Sequence, residues 1–102
     1  MLNKKEIKVL LQETERELDE LKKEDFWGGY EIAQRAKLES AVNLYEKMLF
    51  MSEDHARELL QLNRNHDIFI GRNTSYPTKR LLIYLKKLEA ETEALEKVLE
   101  EK

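Results

Sequence analysis

Residues 81–99, LLIYLKKLEAETEALEKVL, decide the fold. Leu81, Leu85, Leu88, Leu95 and Leu99 are separated by heptad-like steps, with Thr92 in the one remaining place on the stripe. Steps of about four and three residues keep one apolar line on one face of a helix. Leu82, Tyr84 and Val98 widen that line. The helix is expected to begin near Pro77, whose missing N–H costs nothing in a first turn. Thr74, Ser75 and Tyr76 precede it, with Ser75 as the candidate cap. The tail is expected to fray after Leu99.

The same rhythm stands at the other end of the chain. Ile7, Leu11, Thr14, Leu18 and Leu21 again place one Thr in an apolar seam. Asn3 is the candidate N-cap of this helix, and Glu6 is the acid of a capping box. Run antiparallel, the two stripes match as Ile7 with Leu99, Leu11 with Leu95, Thr14 with Thr92, Leu18 with Leu88 and Leu21 with Leu85. Each Thr hydroxyl can bond back to the carbonyl one turn earlier. The flanking charges are mixed. Lys8 falls near Glu96, but Glu15 falls near Glu89 and Glu17 near Glu91. Such exposed repulsions cost only a few tenths of a kcal/mol, against about 1.5–3 kcal/mol for a buried leucine. The stripes can equally pair between two copies of the chain.

Between these helices lies a third. In DFWGGYE, residues 25–31, Gly28 and Gly29 are suited to stop the first helix. Phe26, Trp27 and Tyr30 are expected to plug the end of the bundle at that turn. Ile32, Ala36, Leu38, Val42, Tyr45, Met48 and Leu49 then form a broad apolar face, that of a helix touched on two sides. Ala33, Ala36 and Ala41 permit close helix approach. SEDHARELLQL, residues 52–62, looks like a fresh helix start, with Ser52 as cap and Glu53 and Asp54 in the first turn. Either the second helix kinks near Met51 or it runs through to about Arg64, with Leu59, Leu60 and Leu62 facing the core. Residues 65–76 are expected to form a structured loop, because Ile68, Phe69 and Ile70 favour strands but make no sheet alone. A short strand that pairs only in an oligomer is the alternative.

The expected architecture is therefore all-α. It is a small antiparallel bundle of three long helices, the second kinked near residue 51 or running straight through, with a structured loop at 65–76, in a single domain over residues 1–102.

Composition narrows the function. There is no cysteine, hence no disulfide, thiolate nucleophile or Cys-ligated zinc. This usage and the lack of a signal-like apolar start point to the cytoplasm. No stretch is long and apolar enough to cross a membrane. With 18 basic and 21 acidic residues the net charge is −3, which argues against a general nucleic-acid coat.

No catalytic set is legible, and no metal or cofactor is expected. His55 and His66 are the only histidines. His55 and Glu58 share one helical face, but a metal site needs three or four converging ligands. His66 and Asp67 have no third group to orient them. No phosphate-loop pattern occurs. The best candidate site is GRNTSYPTKR, residues 71–80. Arg72, Asn73, Ser75, Tyr76, Lys79 and Arg80 there could hold an anion or an acidic partner, since helix starts attract anions. The structural alternative is that Glu24 or Asp25 neutralises the two bases.

The function expected is that of a non-catalytic interaction or adaptor protein. It would self-associate, most simply as a homodimer, and bind another protein rather than nucleic acid. The alternative is a phosphate, nucleotide or nucleic-acid binder using residues 72–87.

Overall fold

The computed structural model describes residues 1–23, 28–73 and 79–100, with side chains except at 29, 30, 67–73 and 79. Four helices account for almost all of it: α1 (Lys4–Lys22), α2 (Gly29–Met48), α3 (Glu53–Asn73) and α4 (Lys79–Leu99). No strand occurs among the described residues.

Local chemistry sets the ends. Asn3 caps α1, its Oδ1 accepting the Glu6 N–H at 2.9 Å while the Glu6 carboxylate accepts the Asn3 N–H at 3.3 Å. The Gly28 N–H donates to Glu31 at 3.0 Å, the half of a capping box available to a residue without a side chain. The α2 end tightens, with Phe50 N–H bonding to Lys47 O at 3.1 Å and Met51 N–H to Met48 O at 3.4 Å. Ser52 then starts α3 afresh, its Oγ accepting the His55 N–H at 3.2 Å. The expected bend near residue 51 is thus a full break, and the helices number four instead of three. Phe50, left at this turn, is 87% exposed.

The expected loop at 65–76 is corrected over most of its length, since α3 continues to Asn73. Ile68, Phe69 and Ile70 lower helix propensity by only a few tenths of a kcal/mol each, too little to end a helix already propagating. Residues 74–76 of that loop lie outside the described residues, as do Ser75 and Pro77 at the expected start of the last helix. The plug of Phe26, Trp27 and the Tyr30 side chain also falls outside them.

The helices form a thin layer measuring 37 × 37 × 19 Å. Its order is α1, α2, α4, α3, because α1 packs on α2, α2 on α4 and α3 on α4. The broad apolar face of α2 has the two-sided contact it suggested. The proposed α1–α4 seam is replaced by this arrangement, since α2 comes between the two helices. Its small buried residues, with Ala36 on α2 and Ala90 and Ala94 on α4, allow close approach. Lys37 reaches Glu89 across that contact at 3.4 Å. The acids of α4 are answered from α2 and α3, with Arg64 3.2 Å from Glu96 and Asn63 3.5 Å from Glu91.

At one end α1 and α4 contribute to a common core. There Ile7, Leu44, Tyr45, Met48, Ala56, Leu60, Leu95, Val98 and Leu99 share one buried cluster. The Leu2 N–H donates to Val98 O at 2.7 Å beside it. Both seam threonines bond back one turn, Thr14 to Leu10 O at 2.8 Å and Thr92 to Leu88 O at 2.9 Å. Leu62, expected in the core, is 61% exposed on α3.

Candidate functional site

The basic segment divides between two helix ends. Arg72 and Asn73 lie in the last turn of α3, and Lys79 and Arg80 open α4. Ser75 and Tyr76 lie outside the described residues. Arg80 is exposed.

Three other features are assembled that the linear pattern did not reveal. The first is a contact between α3 and α4. His66 lies on a helix, where its Nδ1 is 3.0 Å from the Tyr84 hydroxyl and the two rings meet edge to face. Leu59, Leu62 and His66 follow the helical three–four spacing, so Leu62 and this ring pair share one flank of α3.

The second is a trough of about 360 Å³ along α4, lined by Leu85, Leu88, Glu89, Thr92, Glu93 and Glu96. It contains the first half of the seam once expected to receive α1. The flanking acids are largely neutralised within the chain. Lys37 and Lys86 each lie 3.4 Å from Glu89, and Arg64 holds Glu96. Partial burial works to raise the Glu89 carboxyl, but Lys37 and then Lys86 hold it below its usual range.

The third is a cleft of about 180 Å³ between α1 and α4, with α2 as its floor. Thr14 and Glu17 form one wall, Ala90, Glu93, Ala94 and Lys97 the other, and Lys37, Ala41 and Tyr45 belong to the floor. Tyr45 is only 3% exposed. Its hydroxyl makes no hydrogen bond among the described residues. Burial pushes the phenol above its ordinary value, and the carboxylates of Glu93, Glu13 and Glu17 push it the same way. No sequence signal marks this site, because Tyr45 reads as one more apolar position of α2.

Among the described residues no group of three or more His, Asp or Glu side chains is arranged to hold a metal ion. His55 is exposed beside the start of α3. No described helix is long and apolar enough to cross a membrane. No family model matches the chain, and neither the curated proteins nor the solved structures include a significant match.

Proposed function

We propose that this chain is a non-catalytic helical interaction protein that self-associates and binds a further macromolecule through its helix faces. The observation that carries this reading is the α4 trough. Among the described residues its lining comes from α4 alone, with Leu85 and Thr92 partly exposed and Leu88, 6% exposed, between them. An amphipathic stripe of this spacing is the surface a partner helix recognises. The pairing of Glu89 and Glu96 with Lys37, Lys86 and Arg64 lowers the repulsion that two such acidic rims would otherwise meet. A second copy is the simplest occupant, as a homodimer in which the α4 stripes pair.

Light scattering at low and high salt, with and without a mixed DNA or RNA oligomer, tests the reading. A dimer that survives high salt and that Leu85→Glu converts to monomer supports it. A monomer at all concentrations counts against it. A monomer that forms a nucleic-acid complex only at low salt would move the function to Arg72, Lys79 and Arg80, because counterion release makes such binding strongly salt-dependent.

A further inference from the structure

Charge changes sign along α4. Residues 79–88 contain Lys79, Arg80, Lys86 and Lys87 and no acid, whereas residues 89–99 contain Glu89, Glu91, Glu93 and Glu96 against Lys97 alone. A helix dipole favours the reverse order, with acids at the start and bases at the end. The other three helices start that way, α1 with Glu6, α2 with Glu31, and α3 with Glu53 and Asp54 in the first turn, but α4 has no acid there. The stability of α4 by itself therefore does not account for its charges. Ion pairs from the neighbouring helices reach its acidic half, Lys37 at Glu89 and Arg64 at Glu96. Among the described residues no acid of another helix answers the basic half.

The same change of sign runs along the trough. Glu89, Glu93 and Glu96 line it. Leu82 and Lys86 continue their line toward the helix start, since the five residues follow steps of four, three, four and three. At the boundary Lys86 and Glu89 pair at 3.4 Å, and both side chains stay nearly half exposed, at 48% and 46%. We infer that a second copy lies antiparallel on this face of α4, a reading that rests on the self-association proposed for the chain and adds its orientation. With the two-fold axis between Lys87 and Leu88, Lys86 stands opposite Glu89 of the partner subunit, and Glu89 opposite Lys86 of the partner subunit. The two internal pairs then join in a ring of four charges of alternating sign. A parallel arrangement would set each of these residues against its own copy. Arg80 and Lys87 lie farther round the helix and favour the same orientation through the field, over a screening length of about 8–10 Å. The apolar stripe supplies the affinity, and the charges choose the direction.

The chain has no cysteine, so one introduced thiol carries a spin label at a single place. Lys97→Cys puts that label on an exposed position near the end of α4. Position 97 lies roughly ten residues from the axis on each copy, so at about 1.5 Å per residue the two labels of an antiparallel dimer should stand about 30 Å apart by double electron–electron resonance. Parallel helices at the usual packing distance would bring them to about 10–20 Å. A second measurement uses the charges. Lys86→Glu sets like charges across the antiparallel axis and should weaken the dimer about tenfold at low salt by sedimentation equilibrium. Most of that difference should vanish in about 0.5 M salt. In a parallel dimer the substitution exchanges one like pair for another and leaves the affinity unchanged. Far-UV circular dichroism verifies that both variants keep their helices. A dimer with the short label distance, or one that Lys86→Glu does not weaken, overturns the orientation and leaves self-association standing. A chain that is monomeric at every concentration overturns both.

Discussion

Ile7 of α1 and Leu99 of α4 lie in the same buried cluster, 1% and 3% exposed, although α2 separates their helices along most of their length. Burial in this layer is therefore concentrated where all four helices come together. Leu95 lies in that cluster with almost no exposure. Leu95→Ala should cost about 2–5 kcal/mol, the range for emptying a tight core site. Leu62→Ala should stay within about 0.5 kcal/mol, as for most surface changes. Urea unfolding of the two variants provides the comparison, and equal losses would place the core elsewhere.

Amide exchange should show the same gradient. Residues 44–48, 56–60 and 94–98 contribute most of the cluster and should be the slowest to exchange. Residues 62–66 and 80–85 should exchange through local opening, because few buried apolar contacts hold them. Uniform protection along α4 would contradict this distribution.

The break before α3 depends on Ser52. Its Oγ accepts the His55 N–H, so Ser52→Ala should destabilise the fold by about 1 kcal/mol. Ser52→Asp should restore most of that loss, since an Asp oxygen caps equally well. Thermal melts of the three proteins check this. A neutral Ser52→Ala would mean that the turn is fixed by packing alone.

Glu89 gives a pH dependence of defined sign. Its folded carboxyl is held below the ordinary value by Lys37 and Lys86, against partial burial. The stability it adds is present above the unfolded value of about 4.3 and is lost as pH falls through the lower folded value. The side chain is nearly half exposed, so the contribution should stay below about 1 kcal/mol. Glu89→Gln should therefore be slightly less stable than the parent at about pH 6, and that gap should close at about pH 3. A gap that widens on acidification would refute the assignment.

The chain's periodicity was a good guide to helices and a poor one to neighbours. Asn3, Glu6 and Ser52 announced their caps because capping depends on residues within one turn. The broad face of α2 announced two-sided burial for a similar reason, since one helix displays its own apolar arc. The match between Ile7–Leu21 and Leu85–Leu99 was real as a pattern, but it contained no term for a competing helix. α2 packs on both α1 and α4 and takes the place that α1 was expected to fill beside α4. The β-forming Ile68–Ile70 triplet misled because propensity is weak against a helix already under way. Of the candidate site, Lys79 and Arg80 were correctly placed at a helix start. The cleft at Tyr45 was invisible because its lining comes from three helices distant in sequence.

The order of the layer also bears on how the chain reaches it. α1 with α2, and α3 with α4, are helical hairpins whose contacts join nearby stretches of sequence. The contact between α2 and α4 is different, since Lys37 and Glu89 stand 52 positions apart. Closing that span costs chain entropy before any α2–α4 contact can offset it. The two hairpins are therefore expected to form first, with their docking through α2 and α4 as the slow step. Substitutions at Lys37 or Glu89, which bridge α2 and α4, would then act on the rate of folding, whereas those at Leu62 would leave it unchanged.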